Sequence, residues 1–111
     1  MGKVEDYRGY IQSLLSEYAS YKSLSNDIEV QTIFDTEHDH YQLVDVGWYN
    51  NHRVYGCVLH LDIKDGKIWI QHDGTEIGIA ERLVELGVPK QDIVLAFQAP
   101  YKRQYTGFAV R

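Results

Sequence analysis

The middle of the chain reads Val54-Tyr-Gly-Cys-Val-Leu-His-Leu-Asp-Ile-Lys-Asp-Gly-Lys-Ile-Trp-Ile-Gln-His72. Its two apolar runs flank Asp65-Gly66, and Asp-Gly tolerates the positive φ angles of a two-residue hairpin turn. Asn50-Asn51 provides a similar turn signal just upstream, after Trp48-Tyr49. The stretch therefore predicts two antiparallel strands joined by a tight turn, with a further strand before them.

Apolar residues alternate with polar ones on the amino-terminal side of this stretch. The alternation runs through Ile28, Val30 and Thr32, stops at the polar segment 35–39, and resumes at Tyr41 and Leu43. A period of two is typical of strands with one buried face. Together these segments predict a four-strand antiparallel meander, in which Gly56 marks a bulge or the close approach of another backbone.

Helical patterns flank the predicted meander. Apolar residues recur at helical spacing over roughly residues 3 to 22, which indicates an amphipathic helix. A second helix is expected from Asp73-Gly-Thr-Glu76, where Asp73 or Thr75 accepts backbone N–H bonds, to a stop at Gly87. Ile93 to Phe97 is continuously apolar and predicts an inner fifth strand. We expect residues 98–111 to form one helical turn and an ordered tail, so the predicted fold is α+β.

Length and charge limit the possible functions. A chain of 111 residues fits a single domain, 1–111, and its net charge of −5 disfavours direct binding to duplex DNA. No apolar run approaches the roughly 20 residues that span a bilayer, and the amino terminus lacks the apolar stretch of a secretory signal. We therefore expect a cytoplasmic protein without membrane association. The single cysteine, Cys57, has no internal disulfide partner.

One polar segment contains residue types that bind metals. Asp35, Glu37, His38, Asp39 and His40 fall within six residues. Polar residues are also expected in a turn between two strands, and no second cluster supplies further ligands at a recognisable spacing. The other histidines are His52, His60 and His72, which are scattered and are interpreted as satisfied imidazoles. We expect no metal site and no cofactor.

Two further segments have chemical potential. His72, Asp73, Thr75 and Glu76 form the only local group suited to acid–base catalysis, but helix capping already explains their arrangement. Residues 98–106 interleave tyrosines with Lys102 and Arg103, a pattern that suits single-stranded nucleic acid or a protein interface. Because the positive charges are few, the protein interface is favoured.

The second half of the chain contains the runs Ile70-Gln71-x-Asp73-x-Thr75-Glu76, Gly87-x-Pro89-x-x-Asp92 through Phe97, and Pro100-x-x-Arg103-x-Tyr105-Thr106. With these runs the chain resembles the XisI-like family, described as controlling factors for excision of the fdxN element. The resemblance covers nearly the whole chain and is strongest in the second half. The family run I-Q-x-D-x-T-E corresponds to Ile70, Gln71, Asp73, Thr75 and Glu76. The segment G-x-P-x-x-D-I-V-L-A-F corresponds to Gly87, Pro89 and Asp92 through Phe97. The ending P-x-x-R-x-Y-T corresponds to Pro100, Arg103, Tyr105 and Thr106.

The resemblance implies an α+β fold and a non-enzymatic, regulatory role in site-specific excision of a DNA element in differentiating nitrogen-fixing cells. It implies a role beside a site-specific recombinase and an XisH-like companion protein, and we expect a homodimer. The candidate partner-binding residues are Gln71, Asp73, Thr75, Glu76, Gln98, Pro100, Tyr101, Arg103, Tyr105 and Thr106. The alternative hypothesis is a small enzyme or nuclease-associated subunit that uses His72, Asp73, Glu76 and Arg103.

Overall fold

Within the part of the chain that the structure describes, two α-helices and five strands make up the α+β fold, in the order that the sequence predicts. The computed structural model describes residues 2–21, 27–75 and 78–111. The elements are α1 (Lys3–Tyr21), β1 (Ile28–Asp35), β2 (His40–Tyr49), β3 (His52–Lys64), β4 (Lys67–Asp73), α2 (Ile79–Glu85) and β5 (Ile93–Leu95). Short 3₁₀ helices occupy Lys90–Asp92 and Pro100–Tyr105. We call the second of these the tail helix.

The first four strands form the predicted antiparallel meander. The strand order is β1-β2-β3-β4-β5, and each of the first three neighbouring pairs is antiparallel. Asn50 and Asn51 have φ angles of 49° and 66°, and Asp65 and Gly66 have φ angles of 54° and 76°. Both two-residue turns therefore have the left-handed backbone that their sequences favour.

The hydrophobic core lies between one face of the sheet and the two helices. Spacing of three to four residues along α1 places Tyr7, Ile11, Leu14 and Leu15 on the buried side. The sheet contributes Tyr41, Leu43, Leu59, Leu61, Ile68, Ile70 and Ile93, and α2 contributes Ile79 and Leu83. Each buried Leu or Ile stabilises the fold by about 1.5–3 kcal/mol relative to an exposed one. We call the opposite side of the sheet the outer face.

The helix α2 ends as predicted but begins later than the sequence suggested. It starts at Ile79, because Asp73 is still the last residue of β4 and Gly74 and Thr75 are not helical. At its end Gly87 adopts φ 107°, the Gly87 N–H donates to the Val84 carbonyl, and the Val88 N–H donates to the Leu83 carbonyl. This pair of bonds is the Schellman arrangement of a helix that stops at glycine. Residue 22, the predicted end of the first helix, lies outside the described residues.

The prediction of an inner fifth strand is wrong. β5 pairs in parallel with β4 and is last in the strand order, and it ends at Leu95 rather than at Phe97. Ile93 and Val94 are nevertheless buried, because the chain returns to cover them: Ala109 bridges Val94 and donates its N–H to the Ile93 carbonyl at 2.9 Å. The apolar run thus reflects cover by the carboxy-terminal tail instead of by another strand.

Two bulges shape the middle of the sheet. Leu43 and Val44 pair with Leu59 and Cys57, so Val58 is the extra residue of β3. Leu61 and His60 pair with Ile70 and His72, so Gln71 is the extra residue of β4. The predicted bulge therefore lies two residues beyond Gly56.

Among the residues that the structure describes, no helix combines the length and apolarity needed to cross a bilayer.

Candidate interaction site

The two segments predicted to bind a partner meet at one edge of the sheet. β4 and β5 are parallel, so their carboxyl ends lie side by side. The Ala96 N–H donates to the Ile70 carbonyl at 2.9 Å, one residue beyond the last paired residues of β5. Gln71 follows Ile70, and the tail helix follows Ala96 after a short turn. The corner that begins at Gln71 and the tail are therefore neighbours.

Asp73 organises the corner between β4 and α2. Its Oδ1 accepts from the Thr75 N–H at 2.9 Å, and its Oδ2 accepts from the Ile79 N–H at 2.8 Å. The Gly78 N–H donates to Thr75 Oγ1 at 3.3 Å. These bonds satisfy backbone groups at the start of α2, as the sequence predicts for Asp73 and Thr75. Glu76, the fourth residue of this corner, lies outside the described residues.

Arg103 fixes the tail to the sheet. Its Nε donates to the Gln98 carbonyl at 3.0 Å, and its Nη2 donates to the Ala96 carbonyl at 3.2 Å. The guanidinium also lies 5.6 Å from the centre of the Trp69 ring on β4, within the range of a cation–π contact. Arg103 is therefore a structural residue of the tail, as well as a predicted partner-binding residue.

The tail helix presents two tyrosines to solvent. Pro100 begins the helix, and Thr106 closes it by donating its hydroxyl to the Arg103 carbonyl at 2.8 Å. Tyr101 and Tyr105 are 70% and 81% exposed. Both rings are thus available for contact on a segment whose backbone is fixed by Arg103 and Thr106.

A polar network occupies the outer face beside this edge. Asp62 Oδ1 contacts His40 Nδ1 at 2.9 Å and His60 Nε2 at 3.1 Å, and Asp62 Oδ2 accepts from Gln71 Nε2 at 3.1 Å. Gln42 Nε2 lies 3.4 Å from His60 Nδ1. The hydrogen bond to Asp62 raises the pKa of His40 above its ordinary value. Gln71 therefore links the predicted interaction site to this network.

The comparisons with known proteins agree over nearly the whole chain. Residues 1–110 match the family described as XisI protein. The chain belongs to the XisI family. No curated protein matches it.

Two crystal structures from Anabaena variabilis ATCC 29413 share the fold of this XisI-family chain. One is of a XisI-like protein; it is 53% identical over 96% of this chain and 97% of that chain, with a TM-score of 0.92. The other is of the fdxN element excision controlling factor XisI; it is 35% identical over 99% of this chain and 100% of that chain, with a TM-score of 0.86. The resemblance inferred from the sequence motifs is confirmed.

The predicted cluster of metal-binding residue types is divided in this XisI-family fold. Asp35 Oδ1 accepts from the backbone N–H groups of Glu37 and His38, and these bonds, together with one from the His38 ring, lower the pKa of Asp35. Asp39 instead accepts from Arg8 of α1 at 2.7 Å, and this bond lowers the pKa of Asp39. His40 begins β2 and joins the outer face. Most of the segment thus caps a turn and attaches α1 to it.

The sequence interpretation missed the convergence of His40, His60 and Asp62. His60 and Asp62 are two apart on β3, and that spacing alone places them on one face of a strand. His40 joins them because β2 and β3 pair His40 with Asp62 and Gln42 with His60. The first signal was visible in the sequence, whereas the second required the register of a hairpin that contains a bulge.

The single cysteine, Cys57, lies within the sheet. It is half-buried on β3, and its Sγ donates to the Leu59 carbonyl at 3.1 Å. Burial raises the pKa of the thiol, which reduces the fraction of reactive thiolate at neutral pH.

Proposed function

We propose that this chain is an accessory regulator of site-specific excision of a DNA element and that it acts through protein–protein contacts. The family supports the regulatory role, since one related structure is that of the fdxN element excision controlling factor XisI. We propose an XisH-like companion protein as its direct partner and a site-specific recombinase as a further member of the assembly. The proposed contact surface is the tail helix together with the adjacent corner at the end of β4.

The exposed tyrosines of the tail helix are the observation that carries this proposal. Tyr101 and Tyr105 expose 70% and 81% of their surface, although aromatic side chains of this size are usually covered. Tyrosine and arginine are enriched among the residues that dominate binding energy at protein interfaces. Because Arg103 holds the backbone in place, little ordering entropy would be lost when a partner binds.

Charge favours a protein partner over duplex DNA. The net charge is −5, and affinity for duplex DNA depends mainly on Lys and Arg neutralising phosphates. In the tail helix the cations are Lys102 and Arg103. Arg103 is already engaged with backbone carbonyls and Trp69, so the tail offers few charges to a phosphate backbone.

The same contacts weigh against the alternative of a small enzyme that uses His72, Asp73, Glu76 and Arg103. Both carboxylate oxygens of Asp73 accept hydrogen bonds at the start of α2, and Arg103 binds backbone carbonyls. A general base directs a lone pair at the proton that it removes, and the bonds from Thr75 and Ile79 occupy three of the about four acceptor sites of the Asp73 carboxylate. Regulation by contact therefore fits these residues better than catalysis.

We also propose a homodimer, on the basis of an open strand edge. β4 pairs with β3 at residues 59–64, so within the described ranges residues 52–57 have a strand partner on one side alone. An unpaired edge readily accepts another strand, and two copies of the same segment can pair about a two-fold axis. Tyr55 lies on this edge and is 74% exposed. We expect light scattering to give a dimer mass for the wild type and a monomer mass for Tyr55→Lys; a monomeric wild type would contradict the dimer.

The test of the proposed function combines capture with an excision assay in the native host. A tagged wild-type chain should retain the XisH-like companion in quantitative mass spectrometry, and Tyr101→Ala/Tyr105→Ala should lose it. The same double variant in the chromosome should reduce excision, measured by amplification across the rejoined DNA. Tyr21→Ala is a matched control, because Tyr21 is 74% exposed at the end of α1, far along the chain from the tail. Equal capture and equal excision by all three chains would contradict the proposal.

A further inference from the structure

We propose that His40, His60 and Asp62 form a binding site for a divalent transition-metal ion such as Zn²⁺ on the outer face of the sheet. Two imidazole nitrogens and a carboxylate oxygen are ligand types that such ions prefer. The three ligand atoms lie within 4.8 Å of one another. The three proposed ligands differ from the proposed partner-binding residues, although Gln71 of the adjacent corner also donates to Asp62.

The geometry suits an ion with short bonds. His40 Nδ1 and His60 Nε2 lie 2.9 Å and 3.1 Å from the same Asp62 oxygen. In a tetrahedral zinc site with bonds of about 2.0–2.1 Å, neighbouring ligand atoms are about 3.3 Å apart. Small rotations of three side chains would therefore open the space for an ion, without movement of the strands.

The strands and a second layer of polar groups hold these ligands in place. Register pairs His40 with Asp62 across β2 and β3, which are among the most extensively paired strands of the sheet. Gln71 Nε2 donates to the second oxygen of Asp62 at 3.1 Å, and Gln42 lies 3.4 Å from the far nitrogen of His60. Groups of this kind orient metal ligands and fix the imidazole tautomer.

Ion binding at this site requires a change of tautomer. The Asp62 oxygen accepts, so the two ring nitrogens that face it carry hydrogen atoms while the rings are hydrogen-bonded to it. When an ion takes the lone pairs of those nitrogens, each neutral ring carries its hydrogen on the other nitrogen. For His60 that nitrogen is Nδ1, which faces Gln42, and the amide oxygen of Gln42 can accept it after the amide turns.

Exposure differs across the trio in a way that leaves the ion accessible. The side chain of Asp62 is 17% exposed, that of His60 is 29% exposed and that of His40 is 57% exposed. Three protein ligands leave a fourth tetrahedral position for water or for a donor from outside the chain. The site is therefore partly shielded from solvent at Asp62 and open to solvent at His40.

Calorimetric titration of the tag-free, chelator-treated protein with Zn²⁺ tests the inference. We expect one equivalent to bind with micromolar affinity, and His40→Gln and His60→Gln each to weaken binding at least about tenfold. Titration with Co²⁺ should give the intense visible absorption of a four-coordinate ion. His38→Gln is the matched control, because His38 belongs to the other group of metal-binding residue types, Asp35, Glu37 and His38. Circular dichroism checks that each variant is folded.

One further measurement on the wild type tests the inference even if a variant does not fold. Imidazole resonances of the wild type, followed by nuclear magnetic resonance during the Zn²⁺ titration, should shift first for His40 and His60. Absence of saturable binding to the wild type would overturn the site. So would binding that is lost with His38→Gln and kept with the other two variants, or shifts led by histidines outside the trio.

Discussion

The guanidinium of Arg103 lies over the ring of Trp69 and donates hydrogen bonds to the carbonyls of Ala96 and Gln98. One side chain thereby connects the tail helix, the end of β5 and the outer face of β4. This connection holds the backbone that carries the exposed tyrosines of the tail.

Replacing Arg103 should destabilise the fold. Arg103→Ala removes charged hydrogen bonds to two carbonyls, and we expect a loss of about 2 kcal/mol in the free energy of unfolding, measured by urea denaturation. Arg53→Ala is the matched control, because Arg53 also lies over a tryptophan ring, that of Trp48 at 5.5 Å, but is exposed. We expect the control to change stability by less than about 0.5 kcal/mol. Equal effects of the two substitutions would contradict the structural role of Arg103.

Asp73 should act through the start of α2. Asp73→Ala removes the acceptor for the N–H groups of Thr75 and Ile79. We expect the free energy of unfolding, measured by thermal denaturation, to fall by about 1–2 kcal/mol. Glu81→Ala, on the exposed side of the same helix, should be nearly neutral. If Asp73→Ala unfolds at the same temperature as the wild type, the capping assignment is wrong.

Stability should depend on pH through Tyr7 and Asp92. Tyr7 donates to Asp92 Oδ2, which lowers the pKa of Asp92; burial, and then this bond, raise the pKa of Tyr7. A lowered carboxyl pKa contributes stability at neutral pH that is lost as the pH falls below about 4. A raised phenol pKa contributes stability that is lost as the pH rises above about 10. Unfolding midpoints measured from pH 2 to pH 11 should therefore fall at both ends.

Tyr7→Phe should reduce the fall of the unfolding midpoint at both ends of the pH range. It should also lower the free energy of unfolding by about 1 kcal/mol at pH 7. Tyr18→Phe is the control on the same helix, because the buried Tyr18 hydroxyl finds no hydrogen-bond partner within the described part of the chain. We expect the control to keep the wild-type pH profile. A Tyr7→Phe profile that parallels the wild type would show that another group is responsible.

Gly47 on β2 should be required because the backbone at the start of β1 passes close to it. A methyl group there would overlap the Asp27 carbonyl oxygen and lie 2.7 Å from Ile28 Cα, so Gly47→Ala should lower stability by about 2 kcal/mol or more. Gly56 is opposite Asp45 in the neighbouring strand and has nothing within 4 Å of the added carbon. Gly56→Ala should be neutral or stabilise by up to about 1 kcal/mol. Chemical denaturation of both variants checks this contrast, which fails if Gly47→Ala is neutral.

Local signals in the sequence predicted much of the fold. The Asp65-Gly66 turn, the alternation on both sides of it and the stop at Gly87 each depend on a few neighbouring residues, so the meander and the end of α2 were correct. The position of β5 was not, because an apolar strand is buried equally well by another strand or by a returning tail. Only the tertiary fold shows that Ala109 provides that cover.

The local contacts of the candidate site residues were predicted in part for the same reason. The acceptance of backbone N–H bonds by Asp73 was predicted from its residue type and is confirmed, although α2 begins later than predicted, at Ile79. The binding of Arg103 to the carbonyls of Ala96 and Gln98 depends on how the tail folds back, which no spacing encodes. The approach of His40 to His60 depends on strand register and was likewise hidden, although His60 and Asp62 alternate visibly.

The affinity of the purified chain for a purified XisH-like companion tests the central claim most directly. We predict that Tyr101→Ala/Tyr105→Ala will raise the dissociation constant about 30-fold or more, since loss of an interface anchor costs about 2 kcal/mol or more. The unfolding temperature should stay at the wild-type value, and Tyr21→Ala should bind like the wild type. A folded double variant that binds the companion as tightly as the wild type would contradict the claim that the tail helix is the contact surface.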